Sequence, residues 1–173
     1  MKPARYGREI LTADNDLTKT DETLSVVKNM EKALGENADN MADYFHDDFR
    51  WMGNRGCGTK EDLKAFRENW QLPIRAAFTD RQYYSQVWIT QGEWASCFGH
   101  IEGTHSGTFM GIEATGKRVT IPYTDFWHVK DGKIADNWVS VDFAHVLHQL
   151  GRDVFDGNGW EAFDEGRLVP PKP

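Results

Sequence analysis

Near Asp80 the hydrophobic period of the chain changes from 3.6 residues to 2, and this change restricts the fold more than any other feature. After it, four alternating segments follow, near 80–91, 93–106, 118–130 and 133–142. The first two meet at Gln91-Gly92. The last two meet at Asp131-Gly132, a dipeptide suited to a two-residue hairpin because both of its positions tolerate positive φ. Helices first and meandering strands afterwards is an α+β order, not the alternation that builds a parallel sheet. The expected architecture is a single domain over 1–173, with a core at about 20–151 and a partly ordered tail at 152–173. In it a cone-shaped, curved antiparallel sheet wraps around the N-terminal helices and leaves room for one small ligand.

The helical part reads as three segments. Thr20-Asp21 is placed to cap a helix bearing Leu24, Val27, Met30 and Leu34, which Gly35 ends. Asn37 to Phe45 reads as a short second helix with Met41, Tyr44 and Phe45 on one side. Phe49 to Met52 then reads as a brief strand. Thr59 is the expected cap of a third helix, with Asp62 at the capping-box position and Leu63, Phe66 and Trp70 at helical spacing. A last helix, Phe143 to Leu150, starts at Asp142 and stops at Gly151.

A net charge of −7 and the lack of a basic stripe argue against a nucleic-acid partner. Cys57 and Cys97 are too few for a disulfide framework and lack metal-ligand spacing, so they read as buried thiols in a reducing compartment. The opening MKPARYGREILTADND has no apolar core of leader length, and no 18-residue apolar run occurs elsewhere. A cytoplasmic protein with no membrane partner is the expectation. Seven tryptophans in a chain of this size suggest rings that line a cavity as well as fill a core.

The stretches GTHSGTFMGIEATGK and TDFWHVKDGKIADNW, then Asp142 with a helix ending in QLG, resemble the SnoaL-like polyketide cyclase family of the nuclear transport factor 2-like superfamily. YFHDDFRW and the GTKEDLKAF helix add support, so the resemblance spans roughly residues 20 to 151. It implies the α+β barrel fold of that superfamily. It does not name one reaction, because the fold hosts cyclases, isomerases, dehydratases, lyases and non-catalytic binders. In relatives that cyclise polyketide esters by an intramolecular aldol reaction, an aspartate on the strand before the DGKI turn is the acid/base. Asp125 holds that place here. The resemblance also attaches weight to His105, which opens an HxGxF pattern found in family members.

Aspartate is depleted in strands, so Asp125 either faces water, pairs with an arginine, or forms a polar spot inside a pocket. An uninterrupted Asp131-Gly132 hairpin would set Lys130 opposite Lys133, Trp127 opposite Asp136 and Asp125 opposite Trp138. Tyr123, Asp125 and Trp127 would then share a face with Ile134 and Trp138. Burial there would raise the carboxyl pKa toward what a general acid/base needs near neutrality, and Tyr123 could donate to a developing oxyanion. His105 alternates with small residues along its strand and reads either as a proton shuttle or as a histidine satisfied by backbone. Trp51, Trp70, Trp88 and Tyr84 are candidates for the pocket wall or for plain core, beside Trp127 and Trp138. His100 falls on the other strand face. Asp142 reads as a helix cap, and neither His145 with His148 nor His46-Asp47-Asp48 makes a convincing metal set, so no metal and no cofactor are expected.

Two functions from different classes remain. One is a cofactor-independent acid/base enzyme on a small apolar carbonyl or aromatic metabolite, by aldol-type cyclisation or related isomerase, dehydratase or lyase chemistry. The other is a non-catalytic binder of such a metabolite. An apolar outer sheet face with Phe126, Val139 and Val141 suggests a homodimer.

Overall fold

The computed structural model describes residues 16–172. The sequence reading of a leader-free N-terminus therefore lies mostly outside the described residues. Among the latter, no helix is long and apolar enough to cross a membrane.

The chain runs through α1 (Thr20–Gly35), β1 (Phe45–Gly53), β2 (Thr59–Lys60), α2 (Leu63–Phe66), a π turn (Arg67–Gln71) and α3 (Leu72–Ala77). Then come β3 (Phe78–Gln91), β4 (Trp94–His105), β5 (Arg118–Lys130), β6 (Lys133–Val141), α4 (Phe143–Gln149) and α5 (Glu161–Asp164). The six strands form one curved, unclosed sheet in the order β2-β1-β6-β5-β4-β3. All pairings are antiparallel except β1 with β6, which is parallel and which no sequence signal announced.

The four long strands fall where the period-2 pattern puts them. Their second hairpin closes at Asp131 and Gly132 with φ of 50° and 74°, the two left-handed residues of a type I′ turn. Besides a shift between Phe45 and Arg50 in the β1–β6 pairing, three register shifts interrupt the ladders of the four long strands. Two lie in the β3–β4 pairing, at Thr79/Gln82 and at Ser85/Val87, and one in the β5–β6 pairing at His128/Val129. In the last, His128 pairs with Asp136 while Val129 pairs with Ile134, so Ala135 is an extra residue in β6. Bulges of this kind bend a strand and increase its twist.

α1 lies on the concave face and buries Thr23, Val27, Met30 and Ala33. Its stripe joins Phe45, Phe49, Trp51 and Phe66 with the inward residues of β4, β5 and β6 in one core. Fully burying each of these large side chains contributes about 1.5–3 kcal/mol.

Several local expectations are corrected. Thr20 does not cap α1. Asp16 caps the preceding turn by accepting from the Thr18 N–H at 3.0 Å, and the Thr20 hydroxyl accepts instead from Gly92 N–H at 2.9 Å, tying the helix to the β3–β4 turn. Asn37 to Phe45 is not a helix beyond a 3-10 turn at Met41–Asp43, because Phe45 already pairs with Ile134 in the sheet. Thr59 belongs to β2, and Asp62 is the helix cap, accepting from Ala65 N–H at 2.6 Å. Val139 and Val141 face the concave side rather than the outer one, since the extra residue at Ala135 inverts β6 relative to a plain hairpin. The tail contains the short helix α5, with Ala162 buried.

Candidate active site

Tyr123, Asp125 and Trp127 alternate on the concave face of β5 and are all buried. Asp125 pairs with Cys97 on β4 and with Val139 on β6. The bulge that shifts this register takes Trp138 away from Asp125. It pairs with Phe126 and packs on Trp94 with ring centroids 5.6 Å apart, on the outer side. Asn137 faces inward in its place, where its Nδ2–H donates to Asp125 Oδ1 at 2.8 Å.

These groups line a cavity between α1, the π turn and the sheet, with an empty volume of about 670 Å³ counted out to its open mouth. Its walls are apolar: Met30, Leu34, Trp51, Trp70, Ile101, Ile121, Trp127 and Val139 among others. Trp51 and Trp70 pack with ring centroids 4.4 Å apart and planes tilted by 33°, and the π turn carries Trp70 to that position. Among the described residues, no lysine, arginine or histidine lines it.

Two polar groups interrupt the wall. One is Asp125 with Asn137. The other is Glu31 of α1 with Ser85 of β3 and Tyr123. The Tyr123 hydroxyl donates to Glu31 Oε1 at 3.1 Å and lies 2.8 Å from Ser85 Oγ, and the Ser85 hydroxyl donates to the same carboxylate oxygen. Glu31, Ser85 and Asn137 are absent from the sequence reading. Glu31 did carry a signal: it sits four residues after Val27 on the apolar stripe of α1, where a glutamate is out of place. Ser85 and Asn137 were hidden by bulges that alternation alone does not reveal.

Burial raises the Asp125 carboxyl to about 7, the Asn137 hydrogen bond works against this, and the Glu31 charge adds to it. Asp136, one strand away, shows the contrast. Burial works to raise it too, yet hydrogen bonds from His128 and Arg50 and the Arg50 charge outweigh that and hold it low. The arginine partner available to an aspartate in this region thus belongs to Asp136, at 2.5 Å, and not to Asp125. Burial and then the Glu31 charge push the Tyr123 phenol upward, so it stays protonated and able to donate. Burial likewise pushes the Cys97 thiol to about 12, which keeps it inert beside Asp125.

The remaining candidates lie elsewhere. His105 is fully buried near Phe78 and Phe109, its Nδ1 is 3.0 Å from the Thr115 hydroxyl, and it does not line the cavity. Cys97 marks the level of Asp125 on β4, so His105 is eight residues further along the strand, on the order of 25 Å at strand rise. Asp125 and His105 are therefore not brought together. Trp88 stacks on Trp127 at 5.8 Å behind the cavity wall. Tyr84 is 41% exposed on the convex face and stacks on His100, because the bulges in β3 direct Tyr83 and Ser85 inward instead. Asp142 caps α4, accepting from His145 N–H at 2.9 Å. Among the described residues, no group of three or more histidine, cysteine and acidic side chains is placed to hold a metal.

The model of the SnoaL-like polyketide cyclase family matches residues 25–150, which includes every residue that lines this cavity. The chain belongs to that family. It is 27% identical over 101 residues to the aklanonic acid methyl ester cyclase DauD of Streptomyces sp. (strain C5), a match covering 58% of this chain and 59% of that protein. It is 26% identical over 88 residues to the aklanonic acid methyl ester cyclase DnrD of Streptomyces peucetius, covering 50% of this chain and 61% of that one. The chain thus spans about three-fifths of the length of these curated relatives. Among solved structures, IdmH from Streptomyces antibioticus superposes with a TM-score of 0.67 at 22% identity, over 75% of this chain and 99% of that one, which supports the fold alone.

Proposed function

We propose that this member of the SnoaL-like family is a cofactor-independent acid/base enzyme acting on a small, neutral, largely apolar carbonyl compound, with aldol-type cyclisation as its reaction. The observation that carries this reading is Asp125, a carboxyl poised at about 7 inside an apolar cavity with a single amide donor. A group titrating near neutrality can both take and return a proton at useful rates. In the proposed step the Asp125 carboxylate removes a proton from the carbon next to a carbonyl. The resulting enolate carbon bonds to a second carbonyl carbon of the same molecule, and the proton then goes to the alkoxide oxygen. Tyr123 donates a hydrogen bond to the oxyanion as it develops. Methyl ester substrates, as in the names of DauD and DnrD, suit a cavity lined by two carboxyl groups and, among the described residues, no cationic side chain. Trp51, Trp70 and Trp127 are the proposed substrate wall.

The discriminating experiment is Asp125→Asn. An enzyme of this type loses most turnover and still binds ligand, whereas a simple binder changes only modestly in affinity.

We also propose a homodimer formed through the convex sheet face. Val87, Ile89, Phe98 and Phe126 are between 42% and 67% exposed there. Such a contiguous apolar surface favours association with a second copy. The two buried free thiols fit the reducing, cytoplasmic setting proposed for the protein.

A further inference from the structure

Glu31 is the second carboxylate of the cavity, and the reaction proposed above leaves it without a task. It projects from α1 across the sheet opening, and its Oε1 receives the hydroxyls of both Tyr123 and Ser85. An acid placed on the apolar stripe of a helix is costly to keep there unless its partners are fixed. The partners here are two hydroxyls that also touch each other, with 2.8 Å between Ser85 Oγ and Tyr123 Oη.

We propose that Glu31 is a positioning residue for proton transfer in this cavity, acting on substrate oxygen through Tyr123 and on Asp125 through its charge. The proton accounting makes the role specific. Tyr123 has one hydroxyl proton, and at rest Glu31 accepts it. When a ligand oxygen gains negative charge, that proton can turn to the ligand. Ser85 continues to donate to Glu31, so the half-buried carboxylate is not left bare. The phenol is thereby held ready beside the ligand and released without stranding a charge. The same carboxylate faces Asp125 across the cavity, so Asp125 gives up its proton against a like charge. The titratable groups around this pair are Tyr83 on β3, Cys97 on β4 and Tyr123 on β5, with Glu31 itself from α1.

This inference rests on the acid/base reading of Asp125, and the test separates the two. The probe is 5-nitrobenzisoxazole. Its ring carbon gives a proton to a carboxylate base, a nitrile forms as the N–O bond breaks, and the electron pair leaves on oxygen as a coloured phenolate. Turnover is followed against pH for the native protein, Asp125→Asn, Glu31→Gln, Ser85→Ala, Tyr123→Phe and the double variant Glu31→Gln/Tyr123→Phe. The Asp125 side chain is titrated in parallel by carbon NMR in the native protein and in Glu31→Gln.

Glu31→Gln should lower the plateau kcat by about tenfold with KM little changed, as expected for loss of a preorganised oxyanion donor. It should also move the Asp125 midpoint to lower pH, because the opposing charge is gone. The double variant should be no slower than Tyr123→Phe alone, and Ser85→Ala should fall between native and Glu31→Gln. Additive losses in the double variant, or an unchanged Asp125 titration in Glu31→Gln, overturn the role of Glu31 while the base survives. Undiminished turnover in Asp125→Asn, or no turnover by the native protein, overturns the base and the role of Glu31 with it.

Discussion

Asn137 donates to Asp125 Oδ1 at 2.8 Å from the neighbouring strand, and among the described residues it makes the only side-chain hydrogen bond that opposes the upward drive of burial on that carboxyl. Replacing Asn137 by Leu removes the donor at nearly constant volume. The base limb of the pH–rate profile should then move to higher pH, so that activity at pH 7 falls more than activity at pH 9. Loss of a hydrogen bond to a charged group should also cost about 1.5–3 kcal/mol of stability above the titration range, measured by urea denaturation.

Asp125 itself gives the protein an unusual dependence of stability on pH. Its folded value near 7 lies well above the value of about 3.9 in an unfolded chain. Between those values the native state holds a proton that the unfolded state releases, so stability falls as pH rises through the window and levels off above 7. The difference is on the order of 4 kcal/mol at full ionisation. Asp125→Asn should therefore equal the native protein in stability at pH 4 and exceed it at pH 8. A native protein no less stable at pH 8 than at pH 5, relative to this variant, would contradict the titration assigned to Asp125.

Two acids and, among the described residues, no lining cation predict selection by charge. Methyl 2-naphthoate should bind at least about tenfold more tightly than 2-naphthoate at pH 8, since like charges in a dry cavity repel over short range. The gap should narrow below pH 7 as Asp125 takes up its proton. Calorimetric titration of both compounds at two pH values checks this.

Trp127 and Trp138 are neighbours in pattern but not in place. Trp127→Ala should weaken binding of the naphthoate ester and cost about 3–5 kcal/mol of stability by opening a cavity. Trp138→Ala should leave ester affinity unchanged within about twofold, because that ring sits against Trp94 on the convex side. Equal losses from both variants would place Trp138 on the cavity after all.

The dimer has its own test. Phe126→Asp combined with Phe98→Asp should yield a monomer by light scattering at concentrations where the native protein associates, since each sets a charge amid an apolar face. A native protein that stays monomeric across the accessible concentration range would remove the interface.

Much of this fold was legible because its strands are long and their hairpin signals strong. Asp131-Gly132 placed one turn correctly, and the alternation of Tyr123, Asp125 and Trp127 put three cavity residues on one face. What could not be read was the pairing beyond local range. The parallel partnership of β1 with β6 joins residues some 86 positions apart, as between Arg50 and Asp136, and leaves no periodic trace. Nor does alternation show where a strand gains a residue. That is why plain alternation puts Trp138, Val139 and Val141 on the wrong faces and offers Tyr84, rather than its inward neighbours Tyr83 and Ser85, for the cavity wall. Glu31 was legible in principle, as an acid on an apolar helical stripe, but helical spacing alone directs attention to the hydrophobic residues around it.

Ala135 sets the reading frame of β6. With that one additional residue, the strand offers an amide to the chamber and an indole to the exterior; without it, the remaining eight letters would offer the reverse. A family that keeps its framework while varying its substrates could thus recast a chamber wall by a single insertion or deletion, with no point substitution near the reacting atoms.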